Sequence, residues 1–196
     1  MPRTGLSAGD LKQVALHAAE KIIRRHGIQK TRLVDIAKEI NVSHPVLYRL
    51  FPNKEALIDA VSEYWLTRID EELAKIVSQK RNAKVRLQSW FLVLHRLKRE
   101  KVAQDPELYQ AFNVAAEKKR PIIVHHVTTL KHQLTFLMES GIRAGEFAKR
   151  DPTAMAQLLF DGMIMFHHPK LVLDNLKTNQ ETHLKEILSA LIKGIV

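Results

Sequence analysis

At 196 residues and 22.5 kDa, with 45% apolar and 27% charged side chains, the chain can bury a core unaided and is no disordered tract. Seven glycines and seven prolines are too few for a collagen-like chain or a turn-rich sandwich, and the absence of cysteine excludes disulfides, thiolate zinc sites and cysteine nucleophiles. A net charge of +10 favours a polyanionic partner, but the excess is spread along the chain: residues 1–60 hold ten basic and six acidic groups, residues 61–196 twenty-one and fifteen.

Apolar residues recur at the helical period throughout. Leu11, Val14, Ala15, Ala18, Ile22 and Ile23 line one face of a first helix, and Gly27 stands where a left-handed cap is wanted. Leu33, Ile36, Ala37 and Ile40 mark a short second helix. A third runs from about His44 to Leu50, with Ser43 to cap it through its hydroxyl and Pro45 in the first turn, where a missing N–H is tolerated. After the Pro52-Asn53 break a fourth helix runs from Lys54 to about Val77. A fifth covers Ala83 to Lys101 and carries Leu87, Trp90, Phe91, Leu94 and Leu97. Asp105-Pro106 opens a sixth, to about Glu117. The seventh, Pro121 to about Ile142, buries Ile123, Val127, Leu130, Leu134 and Leu137 and is closed by Gly141 and Gly145. Asp151-Pro152 opens the eighth, which continues through Phe166 and is stopped by Pro169, and the ninth spans Glu181 to Lys193. No segment alternates with period two, so the expected fold is all-α, with nine helices and no strand. Met1 to Asp10 lacks the apolar core of a secretory signal, and no stretch approaches the roughly 18 apolar residues of a membrane span. The expectation is a cytoplasmic protein with no membrane partner.

Residues 33–50 have the build of a helix-turn-helix. Ala37 is small where two such helices cross, and Asn41 is one of the few side chains comfortable at the positive φ a tight turn needs. His44, Val46, Tyr48 and Arg49 crowd hydrogen-bonding groups onto a helix too short to be stable alone, while Leu47 and Leu50 offer a face to bury. A recognition helix has that arrangement, one face packed and the other free for base edges and phosphates.

Gly27-Ile28, Thr31 to Glu39, Val42-Ser43 and Leu47 to Leu57 (Leu-Tyr-Arg-Leu-Phe-Pro-Asn-Lys-Glu-Ala-Leu) resemble the N-terminal DNA-binding domain of TetR family transcriptional regulators over about residues 10–60. Phe166 to Val172 also resembles a late segment of some members. The resemblance implies a DNA-binding domain in residues 1–53 and a helical ligand-binding and dimerisation domain in 54–196. It implies a homodimer on double-stranded DNA with a palindromic operator, acting as a repressor that a small-molecule effector releases. It casts Thr31 as the cap of the second helix and a phosphate contact, Tyr48 and Lys54 as phosphate contacts, and His44, Val46 and Arg49 as readers of base edges, with Ser43 among the DNA-binding residues; Arg3 would add a contact from an N-terminal arm. Two residues depart from the family pattern. Asn41 stands where many members have Gly, and Pro45 where many have Gly or Ala, which removes an amide from the approach to DNA.

In the larger domain the stock for a pocket is aromatic and sulfur-bearing: Trp65, Trp90, Phe91, Tyr109, Phe112, Phe136, Met138, Met163 and Phe166. The expected lining is Trp90, Tyr109, Phe112, Asn113, His132, Phe136 and Met163, with Tyr109, Asn113 and His132 as polar groups that orient a mainly apolar effector. Gly162 and Leu188 are placed at a two-fold four-helix interface. The basic runs Lys80, Arg81, Lys84, Arg86 and Arg96, Lys98, Arg99, Lys101 read as solvated faces. His125, His126, His132 and His167-His168 raise the rival of a metal-dependent enzyme, with His125 and His132 on one helix face, but no HExxH pattern accompanies them. No GxSxG, P-loop or GxGxxG string occurs, so neither catalysis nor a cofactor is expected. A sequence-independent DNA-coating protein is the remaining alternative.

Overall fold

The computed structural model describes residues 6–194, so the arm residue Arg3 lies outside the described residues. Among the described residues there are ten α-helices, one 3₁₀ turn and no strand: α1 (Ala8–Lys30), α2 (Leu33–Glu39), α3 (His44–Leu50), α4 (Lys54–Val77), α5 (Ala83–Gln104), α6 (Pro106–Glu117), α7 (Pro121–Arg143), α8 (Pro152–Gly162), the turn Ile164–Phe166, α9 (Pro169–Asp174) and α10 (Glu181–Lys193). Four starts are capped by the side chain just before them, the last by Asp151, whose Oδ1 accepts from Thr153 N at 2.9 Å. Ser7 Oγ accepts from Asp10 N at 3.1 Å, Asn53 Oδ1 from Ala56 N at 2.8 Å, and Asn82 Oδ1 from Val85 N at 2.9 Å.

The tenth helix corrects the expected count. Pro169 opens α9 instead of ending α8: His168 is extended before it, and a proline without an N–H loses nothing in a first turn. α8 itself stops at Gly162, and the Ile164–Phe166 stretch expected to continue it winds as 3₁₀. Gly141 does not close α7. It sits inside the helix under Phe147, whose ring carbon would lie 2.1 Å from a Cβ at that position.

Three apolar clusters hold the molecule together. Ala15, Ala19, Ile23, Ile36, Leu47 and Phe51 centre the first, which takes Leu57 and Val61 from the start of α4 and Leu108 from α6. Ile69, Leu73, Leu87, Trp90, Leu134, Leu159 and Leu188 run through the second, built on α4, α5, α7, α8 and α10. The third joins Leu66, Val102, Tyr109, Phe112, Ile123 and Val172. α4 therefore serves both the N-terminal bundle and the larger one.

Two expectations about the subunit interface are corrected here. Leu188 is only 1% exposed within its own protomer, and a Cβ on Gly162 would meet Leu191 of the same chain at 3.1 Å. The close approach at Gly162 is thus made by the chain's own α10. The outward apolar side chains of this region are Leu158, 57% exposed, with Ile164 and Met165.

Candidate nucleic-acid interface and interior pocket

α2 and α3 form the expected helix-turn-helix. Asn41 adopts φ 54° in the turn, as its short side chain permits, and Val42 N closes the turn onto Ala37 O at 2.9 Å. Ile36, Ala37 and Leu47 are fully buried and fix α3 on α2. Leu50 is only partly buried, so α3 is anchored mainly by Leu47, with the fully buried Phe51 just beyond its end. Ser43, His44, Tyr48 and Arg49 are exposed and Val46 half-exposed on the rest of the helix. Tyr48 is 44% exposed, and its ring meets His44 edge-on with centroids 5.6 Å apart.

Three of the expected roles change in detail. Thr31 does not cap α2: it closes α1, is 1% exposed, and donates its hydroxyl to Gly27 O at 2.8 Å, which removes it from any direct contact with a ligand outside. Arg32 takes the position before α2 and makes no side-chain cap. Ser43 precedes α3 as expected, but its hydroxyl makes no cap bond, because Pro45 has no N–H and Val46 N donates to Ser43 O at 3.0 Å. Lys54 Nζ donates to Gln29 O at 3.0 Å and so ties the start of α4 to the end of α1, with further ammonium donors to spare.

The N-terminal bundle is wired to the larger one beside the Gly27 kink. Arg24 grips Asp105 through Nε at 2.5 Å and Nη2 at 2.9 Å, Lys101 reaches Asp105 at 2.8 Å and Glu20 at 3.0 Å, and Glu107 accepts from Ile28 N. Burial alone would raise the pKa of Asp105, but the hydrogen bonds from Arg24 and Lys101 prevail and hold it below its ordinary value. The polar crevice here, about 210 Å³ and lined by Glu20, Arg24 and Glu100, is occupied by charges that already satisfy one another.

A more apolar pocket of about 390 Å³ opens between α6, α7 and the segment leading into α9, with Phe112, Ile123, Val127 and Phe160 in its walls and His126 and His168 among its polar groups. His126 Nδ1 donates to Asp70 Oδ1 at 2.7 Å, while among the described residues its Nε2 is buried without a partner, as are His168 Nδ1, Asn113 Oδ1 and Tyr109 Oη. Burial lowers the pKa of His126, against the pull of Asp70, and that of His168. His167 is spoken for: it donates to Phe160 O at 2.8 Å, stacks on that ring, and burial depresses it to about 3. Behind the wall lies Lys98, 3% exposed, with Nζ 5.1 Å from the Phe112 ring centroid. Burial pushes its pKa down to about 7.

Of the expected lining residues, Phe112 lines this pocket; Tyr109 packs against Phe112 with ring centroids 5.5 Å apart and lines a separate small cavity, Asn113 is buried on α6, and the remaining four lie elsewhere. Trp90 is packed in the second cluster with Nε1 donating to Gln133 at 2.8 Å, and Met163 is in the same core. His132 and Phe136 project from the outer face of α7, where Phe136 is 47% exposed. His125 is also exposed, and among the described residues no three His, Asp or Glu side chains converge on one point. The basic runs are not uniformly solvated: Arg86 binds Val77 O and Ser140, and Lys98 and Lys101 are buried. The pattern carried a signal for these two lysines, since Lys98 and Lys101 fall four and seven residues after Leu94 and continue its buried face.

Residues 15–61 match the model of bacterial regulatory proteins of the tetR family, and residues 83–188 match that of the tetracyclin repressor-like C-terminal domain. Solved structures share the fold. A TetR/AcrR family transcriptional regulator from Thermobifida fusca superposes with TM-score 0.68 at 19% identity, covering 94% of this chain and 98% of that one. FadR from Bacillus subtilis, in complex with stearoyl-CoA, gives 0.65 at 19% with 94% and 99% covered, and FadR from Thermus thermophilus, a repressor in complex with lauroyl-CoA, 0.64 at 19% with 94% and 95%. No curated protein sequence matches the chain. No helix of the described residues is long and apolar enough to cross a membrane.

Proposed function

The chain belongs to the tetR family of bacterial regulatory proteins, and on that premise we propose that it is a homodimeric transcriptional repressor released from a palindromic DNA operator by a mainly apolar small molecule. The observation that carries the DNA-binding part is the surface of α3, where Leu47 anchors the helix and His44, Tyr48 and Arg49 stand exposed on it. In this reading residues 1–53 are the DNA-binding unit and 54–196 the effector and dimerisation unit. Arg49, His44 and Val46 face base edges, Tyr48, Lys54 and the uncommitted Ser43 hydroxyl meet phosphates, and Arg49 offers guanine two donors.

α6 provides the mechanical link. Phe112 faces the pocket, Leu108 is seated in the N-terminal core, and Glu107 and Asp105 hold α1. An effector that shifts α6 therefore moves the reading head, and a dimer whose two heads no longer match the half-site spacing lets go. The acyl ligands of the two FadR relatives support an apolar effector. The test is operator release, followed by fluorescence polarisation, against a panel of apolar small molecules and divalent metals. An apolar compound that releases the DNA and raises the melting temperature is the expected result. Release by a micromolar metal ion, lost on replacing His125 or His132, would overturn it in favour of a metal site.

A further inference from the structure

The apolar pocket carries two histidines with unpaired buried nitrogens among the described residues, His126 and His168, and a buried lysine stands behind its Phe112 wall. Lys98 is 3% exposed on α5, behind the Phe112 wall, and among the described residues its ammonium has neither an ion-pair partner within 4 Å nor a hydrogen bond; its Nζ lies 5.1 Å from the Phe112 ring centroid and the charge of Asp70 acts on it. It also acts on His126, His167 and His168, which places all four groups in one neighbourhood. An unpaired cation in an apolar interior is costly unless something arrives to pair with it, and unsatisfied buried nitrogens and oxygens carry a further cost. Two such atoms among the described residues belong to residues that line the pocket, His126 Nε2 and His168 Nδ1.

We propose that the pocket recognises an organic carboxylate, with the charged end set against Lys98 and His168 and the apolar body lying along Phe112, Ile123, Val127 and Phe160. The inference rests on the effector-pocket reading above and names the chemical class it takes. The carboxylate accepts from the Lys98 ammonium and from His168 Nδ1–H. His126, held by Asp70 through its other nitrogen, becomes a third donor when protonated, a state Asp70 stabilises. The charged and titratable groups that act on Lys98, His126 and His168 are Asp70 from α4, Glu117 from α6, His125 from α7 and Lys170 from α9, besides the three themselves. The apolar walls, about 390 Å³ of space, give the body of the ligand its place.

The experiment is isothermal calorimetry on the full chain with decanoic acid, methyl decanoate, 1-decanol and decanoyl-CoA. Decanoate is expected to bind about tenfold or more tightly than the ester or the alcohol, the usual scale of a charge-assisted bond in a buried site. In Lys98→Met, whose side chain is apolar and of similar length, that preference falls to about twofold or less while the ester binds as before. Equal binding of acid, ester and alcohol to the unmodified protein overturns the carboxylate assignment and leaves an apolar effector pocket standing. So does tighter binding of decanoyl-CoA that is indifferent to Lys98→Met. Binding by none of these compounds, in a protein that still binds its operator, overturns the carboxylate and the acyl-type pocket together.

Discussion

Arg24 and Asp105 stand 81 residues apart and form a two-pronged ion pair, at 2.5 and 2.9 Å, that fastens the last turns of α1 to the joint between α5 and α6. Lys101 and Glu20 extend the pair into a chain of four charges, of which Asp105 is the most buried. Such a network is rigid only while every member is ionised.

Asp105→Asn should therefore lower stability by about 1–3 kcal/mol, less than a fully buried pair would cost because the Arg24 side is solvent-screened. The same change should weaken the response of the reading head to effector, since α6 would then hold α1 through Glu107 and Leu108 alone. Denaturant melts give the first quantity, and effector titrations of the operator complex the second. The pH dependence follows in sign: a carboxylate held below its ordinary pKa contributes stability above about pH 3.9 that is lost as pH falls through the folded value. The mutant should show a shallower acid transition.

Lys98→Met should stabilise the protein by roughly 1–4 kcal/mol near neutral pH, because it removes a buried cation that no described residue pairs. The folded pKa of Lys98 lies near 7 and the unfolded one near 10.4, so the unfolded chain binds more protons between those values and stability rises with pH through that window. Melting temperatures from pH 6.5 to 9.5 should climb in the natural sequence and stay flatter in the variant; parallel curves would place the charge of Lys98 in water.

Tyr48→Phe on α3 and Lys54→Ala at the start of α4 should weaken binding about equally across DNA sequences and reduce its dependence on salt, because phosphate contacts carry affinity without sequence information. Arg49→Ala should relax base preference at one position of each half-site, at a cost of about 1–3 kcal/mol there. Polarisation titrations at several salt concentrations separate the two behaviours. Unchanged binding by both phosphate variants would remove α3 and the start of α4 from the DNA.

For assembly the informative residue is Leu158. It is 57% exposed in the protomer, so Leu158→Glu burdens only an interface, whereas a charge at Leu188 would enter the protomer's own core. Light scattering should find a folded monomer in Leu158→Glu; a stable dimer would move the contact to another face.

Helical period and proline punctuation made the element order legible in the sequence, and the starts of α3, α4, α6 and α10 fall where the spacing puts them. α9 was hidden because a proline reads equally as the end of one helix or the first turn of the next, and only the extended backbone at His168 decides it. The reading head was legible because its residues are contiguous. The pocket was not: Phe112, His126 and His168 meet only after α6, α7 and α9 pack, and aromatic content cannot separate the packed Trp90 from the outward Phe136. A basic run suggests solvent for Lys98, whereas its spacing of four from the buried Leu94 continues the buried face of α5.

The most direct measurement is the affinity of the purified protein for a palindromic duplex selected from a random pool, compared with a scrambled duplex at the same physiological salt. The account predicts binding of the selected duplex about a thousandfold or more tighter, one dimer per site, with the preference reduced in Arg49→Ala. Equal affinity for both duplexes, governed by salt alone, would contradict it and leave a protein that coats DNA by charge.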